Sequence, residues 1–169
     1  MRVRKETRSD ATGVRRVNEL AFGRSSEADL VDVLRREADP FLSFVAEEDG
    51  EVIGHILFTP VNVELRAGGV AKILGLAPMS VVPGRQREGV GSMLVVTGLE
   101  ECRLAGFRAV VVLGHPEYYP RFGFVPAARV GITSEYDVPE PVFMIKELVD
   151  GGAASLAGVA RYHPAFAAV

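Results

Sequence analysis

One cysteine and three histidines stand in 169 residues. The single Cys102 rules out an intramolecular disulfide, and scattered histidines with one thiol argue against a zinc cluster. Every apolar stretch is interrupted by charge or glycine well short of membrane-spanning length, so no transmembrane helix is expected. The opening MRVRKETRSD has no apolar segment of the kind that forms a signal-peptide core. An excess of positive charge is also missing: 19 Lys and Arg against 22 Asp and Glu leave a net charge of −3. No general attraction to nucleic acid follows from that balance. Internal repeats, low-complexity tracts and a linker able to divide two domains are absent as well. What is there is the composition of an ordinary globular domain, 48% hydrophobic and 24% charged, long enough for one sizeable core. The expectation is a cytoplasmic protein with no metal, no nucleic-acid partner and no membrane contact.

Periodicity then orders the chain. Residues 2–6 alternate about Val3 as a short strand. Ser9 or Asp10 caps a helix through Val14, Val17 and Leu20, and Ser26 caps a second through Leu30, Val33 and Leu34. Residues 41–47 read as a strand ending at Asp49-Gly50, a two-residue hairpin signal. Its return strand carries Val52 to Val63, Gly68-Gly69 turns again, and residues 72–82 form a third long strand. A helix over 91–104 follows, with Gly106 placed to end it. Residues 109–113, AVVVL, read as a strand buried on both faces. Residues 117–122 suggest a helical turn or two, and 124–133 and 142–148 two more strands. Residues 1–150 form the domain, and the Ala- and Gly-rich 151–169 a C-terminal extension packed on it. The predicted fold class is α/β, a mixed central sheet of about six to seven strands flanked by helices.

The stretch VVPGRQREGVGSML, residues 81–94, breaks a strand with Pro83 and spends Gly89 and Gly91 where a helix begins. A glycine-rich turn at a helix N-terminus exposes unpaired N–H groups at the positive end of the helix dipole, a natural seat for phosphate. Arg85 and Arg87 flank the turn and can add charge. The alternative is that both glycines only permit tight packing of helix on sheet. A nucleotide P-loop needs lysine after the second glycine, and Val90 stands there. A dinucleotide fingerprint needs a third glycine where Leu94 stands. Both fail.

With Val82, Pro83, Gln86, Gly89, Val90 and Gly91 in this spacing, the chain resembles the GCN5-related N-acetyltransferase (GNAT) superfamily. The stretch VVVLGHPEYYPRFGFVPA, residues 110–127, and the ending LAGVARYHPAF are similar to the YhbS-type subgroup of that family. The resemblance implies a single-domain GNAT fold whose sheet splays between its fourth and fifth strands. It implies acetyl-CoA as cosubstrate, with pyrophosphate on the backbone of Arg87, Glu88, Gly89, Val90, Gly91 and Ser92 beside Gln86. The pantetheine arm would lie along Met79, Ser80 and Val81. It also implies that Tyr119, four residues before Gly123-Phe124, donates a proton to the departing thiolate and borders the cosubstrate. Without that context a tyrosine among phenylalanines reads as core, as Tyr118 still does.

The general base is less determined. Glu27 at the start of the second helix is the first carboxylate to try, against the plainer reading of a solvated first-turn Glu. His55 has a suitable ordinary pKa but sits on a central strand, where a hydrogen-bonded structural histidine is the safer reading. His115 has no assigned chemistry, and Cys102 reads as core or surface. The implied activity is direct transfer of acetyl to a primary amine on a small molecule or peptide, by a monomer or homodimer. The alternatives are a catalytically weak module that binds CoA or acyl-CoA and regulates, or a transferase for a longer acyl group. Glu135, Asp137 and Glu140 could give the acceptor rim an acidic character, or serve solubility alone.

Overall fold

Asp49 and Gly50 carry φ values of 52° and 79°, the paired left-handed conformation that a two-residue hairpin demands. The computed structural model, which describes residues 1–169, therefore joins β2 (Leu42–Glu48) to β3 (Glu51–Leu65) where the sequence places the turn. Ahead of them run β1 (Arg2–Lys5), α1 (Ala11–Phe22) and α2 (Ser26–Glu37). After them come β4 (Val70–Val81), α3 (Val90–Leu104) and β5 (Ala109–Leu113). The short β6 (Val125–Pro126) and β7 (Ile132–Ser134) precede β8 (Phe143–Glu147) and β9 (Gly158–Arg161). The mixed sheet has nine strands in the order β1-β2-β3-β4-β5-β8-β6, with β9 on β3 and β7 on β9. The count exceeds the expected six or seven because the strand expected over 124–133 splits into β6 and β7, and the short β9 lies in the Ala- and Gly-rich tail.

Two compact units divide the chain. The first holds Met1–Thr59, Ala77–Gly98 and Pro164–Val169. There β1 pairs antiparallel with β2, and β2 with β3, with a register shift at Ala46/Glu47. One face of these strands presents Val45 and Leu57 to Val14 and Val17 of α1 and to Leu30, Val31 and Leu34 of α2, and Phe166 packs on the same cluster. The opposite face receives α3. A Cβ on Gly54 would lie 3.0 Å from both Val90 and Leu94, and one on Gly98 would lie 2.4 Å from the Phe58 ring. These two glycines let helix and sheet meet closely.

The second unit holds Pro60–Leu76 and Leu99–His163. Its centre is β5, buried from Ala109 to Val112 as the continuous apolar run requires. It pairs antiparallel with β8 and parallel with β4, the latter only at Leu74↔Val110 and Gly75↔Val111. β4 itself continues to Val81, which is the expected splay. The single strand expected over 124–133 is broken instead. Pro126 cannot donate to a ladder, a 3-10 turn covers Ala127–Val130, and Gly131 takes a φ of 77°. β7 resumes in another alignment, parallel to β9.

Two helix starts also differ from the expected caps. α2 opens one residue earlier, with Ser25 at the N-cap position and no side-chain cap bond. Asp10 stands at the N-cap position of α1, but its side chain makes no cap bond to that helix. It closes a reciprocal capping box with Thr7, whose N–H donates to Asp10 Oδ2 at 2.7 Å, and it takes a two-pronged bond from Arg4.

Candidate functional site

The loop between β4 and α3 is built from its backbone outward. Val82 N–H donates to Ile53 O at 2.9 Å, the last sheet bond, and Pro83–Arg85 then forms one 3-10 turn. Gln86 folds back, its Nε2 donating to Val81 O at 3.1 Å, and so ties the turn to the end of β4. Arg87 and Gly89 both adopt positive φ, 64° and 87°. Residues 86–89 are exposed, while Val90 is buried and anchors the first turn of α3. The helix begins with Met93 N–H donating to Gly89 O at 3.1 Å, so the N–H groups just ahead of it lack helical acceptors.

A Cβ added to Gly89 would meet nothing within 4 Å. Packing therefore does not demand glycine at this position; its left-handed backbone does, and so would any group approaching the main chain. Arg87 accepts that same conformation at a cost of about 1 kcal/mol or more, as a non-glycine residue must. The two arginines are not equivalent. Arg85 forms ion pairs with Glu48 and with Glu88, the latter at 3.1 Å. Its charge is largely spent within the protein, leaving Arg87 as the exposed cation of the turn.

On β4, Met79 and Val81 are half-buried, whereas Ser80 is buried and its hydroxyl has no hydrogen-bond partner. Also in the first unit, Glu27 is only 4% exposed, so it is not the solvated first-turn residue of the plainer reading. Arg24 grips its carboxylate with three bonds of 2.6–3.2 Å and holds its pKa below the usual range. The carboxylate is therefore ionised but a weakened base.

His55 is fully buried on β3. Asn18 Nδ2 lies 3.1 Å from its Nδ1, and Ser43 Oγ lies 2.9 Å from its Nε2. Because Asn18 donates through that amide nitrogen, Nδ1 is the acceptor and Nε2–H points at Ser43. Burial, with a smaller contribution from the Arg35 charge, lowers its pKa to about 3. It is a neutral structural histidine that ties α1 to two strands. Cys102 is likewise core, and burial pushes its thiol up to about 12.

In the second unit, Tyr119 opens a 3-10 turn over Tyr119–Phe122 that Gly123 ends at a φ of 91°. Its ring is edge-on to Tyr118 at 5.1 Å and to Phe124 at 5.5 Å. A Cβ on Gly114 would lie 2.4 Å from that ring, so the glycine directly after β5 makes room for it. Burial raises the phenol's pKa, and Tyr119 stays protonated through neutral and alkaline pH. Tyr118 faces elsewhere: the Arg121 guanidinium sits 4.4 Å over its ring. His115 is exposed and contributes only its carbonyl, which accepts the Tyr118 N–H at 3.1 Å. Sequence reasoning missed the Asn18–His55–Ser43 network and the ion pairs of Arg85. The one available signal for the tyrosine's seat was the glycine at 114.

A family model describing the acetyltransferase (GNAT) domain matches residues 2–127. The chain belongs to the GNAT acetyltransferase family. Among curated relatives, the Escherichia coli (strain K12) uncharacterized N-acetyltransferase YjhQ is 44% identical over 136 residues, 79% of this chain and 75% of that one. Uncharacterized N-acetyltransferase YhbS of the same strain is 34% identical over 167 residues, 98% of each chain. The GNAT fold is matched by the crystal structure of E. coli YhbS in complex with CoA, with a TM-score of 0.90 over 98% of this chain and 91% of that one. A GNAT acetyltransferase from Brucella melitensis, solved with acetyl-CoA, matches with a TM-score of 0.79 at 38% identity, covering 98% of this chain and 97% of that one.

Proposed function

We propose that the protein transfers an acetyl group from acetyl-CoA directly to a primary amine. The observation that carries this reading is the loop ahead of α3: exposed, left-handed at Gly89, and open where a side chain would stand. It belongs to a chain whose relatives at 34% and 38% identity were crystallised with CoA and acetyl-CoA.

In this reading the N–H groups of residues 87–92 receive the pyrophosphate, with Arg87 adding the charge that Arg85 has committed elsewhere. The main chain of Met79 and Val81 aligns the pantetheine arm. The neutral amine nitrogen attacks the thioester carbonyl carbon, forming the C–N bond, and the C–S bond then breaks. The phenol of Tyr119 gives its proton to the departing thiolate, and the nitrogen loses one through water to a carboxylate, with Glu27 the first candidate. A raised phenol pKa keeps the donor loaded at every working pH but makes it a weaker acid, so its proton moves only as negative charge collects on the departing sulfur. The Arg24 fork keeps Glu27 ionised but lowers its basicity, which favours a water held by the carboxylate over direct abstraction. No acyl-enzyme enters the scheme, in keeping with the buried, protonated thiol of Cys102.

The test is ligand-dependent melting. CoA and acetyl-CoA at millimolar concentration should raise the melting temperature by several degrees, and NAD and ATP much less. A shift with ATP and none with CoA would overturn the assignment of the loop.

A further inference from the structure

Glu88 puts a carboxylate among the backbone N–H groups assigned above to the pyrophosphate, and nothing in that role calls for a negative side chain. It stands one residue before Gly89, which has no side chain to cap the first turn of α3. The space beside Gly89 is open, since a Cβ built there meets nothing within 4 Å. The positive end of the helix attracts any anion that can reach it, by about 0.3–1 kcal/mol for an exposed carboxylate. Glu88 and a phosphate therefore compete for one seat, and a carboxylate left beside that seat repels a phosphate already in it. What restrains Glu88 is Arg85. The arginine Nε donates to Glu88 Oε1 at 3.1 Å, while its Nη1 is paired with Glu48 at the end of β2. The Arg85 and Glu48 side chains are about 30% exposed and that of Glu88 51%, so the guanidinium is anchored on the hairpin side and reaches out to the loop. An exposed pair such as Arg85–Glu88 contributes about 0–1 kcal/mol, the same size as the pull of the helix on the carboxylate. With two opposing terms this close, the presence of Arg85 decides where Glu88 rests.

We propose that Arg85 is a positioning residue for the cosubstrate loop: anchored on Glu48, it holds the Glu88 carboxylate off the N–H groups that the pyrophosphate needs. In this role Arg85 touches no part of the cosubstrate, and its whole effect on binding passes through Glu88. The inference rests on the assignment of the loop to CoA.

The experiment is a double-variant cycle on the full chain, with CoA affinity read by calorimetry in the wild type, Arg85→Ala, Glu88→Gln and the two combined. Arg85→Ala frees the carboxylate and should weaken CoA binding by roughly three- to tenfold. Glu88→Gln removes the competitor and should tighten binding by roughly twofold. The double variant, although it lacks the arginine, should bind CoA at least as tightly as the wild type. That rescue separates the proposal from its rivals. An arginine that contacted the phosphate directly, or merely propped up the turn, would leave the double variant as weak as Arg85→Ala, and this result would overturn the inference. Equal CoA affinity in Arg85→Ala and the wild type would overturn it too. Melting temperatures without ligand accompany each measurement, because a general loss of stability in Arg85→Ala would not be reversed by Glu88→Gln. A wild type that binds CoA but shows no rescue removes the inference alone. A wild type that binds no CoA removes the assignment of the loop, and the inference with it.

Discussion

Tyr119 shows how a residue's chemistry can be legible while its environment is not. Its place before Gly123-Phe124 marked it in the sequence, but an ordinary phenol near pKa 10 was all that could be expected there. The fold buries it against Tyr118, Phe124 and the bare backbone of Gly114, which raises the pKa and locks the proton on. Tyr119→Phe should lower single-turnover rates by roughly 10²–10⁴-fold with little change in CoA affinity, whereas Tyr118→Phe should stay near wild type. Rates that survive in Tyr119→Phe would assign the proton to water or another group. No alkaline limb should be visible in kcat/KM up to about pH 10, because burial only strengthens the phenol's hold on its proton.

His55 carries the opposite lesson. Its sequence context made it a structural histidine, yet the partners came from residues 12 and 37 positions away, which no local pattern links. Its lowered pKa makes the folded protein sensitive to acid. The unfolded chain takes up a proton below about pH 6.5 and the folded one does not, so stability falls as pH drops from that point. Urea unfolding should lose roughly 1 kcal/mol per pH unit between about pH 6 and 4.5 from this one group. His55→Gln should be less stable at pH 7 and show a visibly flatter slope over that window. An unchanged slope would mean that His55 is not buried neutral.

At the scale of elements, the hairpin at Asp49-Gly50, the run at 109–113 and the glycine loop were all legible, since each rests on local rules of backbone conformation and periodicity. The stretch from 124 to 134 was not. Its apolar residues suggest one strand, and only the placement of Pro126 and the left-handed Gly131 shows that the chain must leave the ladder and join β9 instead. The glycines divide by cause in a way the sequence hid. Gly98 is glycine because Phe58 fills the space of its side chain, whereas Gly89 is glycine with space to spare. Their substitutions should therefore part company. Gly98→Ala should destabilise the fold by about 1–3 kcal/mol through overpacking, without altering the CoA affinity of the folded fraction. A folded Gly89→Val protein should lose CoA affinity instead, by crowding the pyrophosphate against a new side chain. Chemical denaturation and calorimetry on both variants would check this; equal CoA affinity in the two would remove the anion from the loop.

For the whole molecule, the family was legible because two motifs in fixed order carry it, and the model match over residues 2–127 spans both. The acceptor was not legible, because no motif in the sequence marks the side chains that would recognise it. Binding of CoA alone would leave a regulatory module and an enzyme equally served. The decisive measurement is therefore the release of CoA thiol from acetyl-CoA across a panel of primary amines, with the products and the protein weighed by mass spectrometry. The account predicts thiol release that depends on the amine, one acetylated amine for each thiol freed, and no acetyl group left on the protein. Tight binding of acetyl-CoA with no amine acetylated, or an acetylated protein as an intermediate, would contradict it.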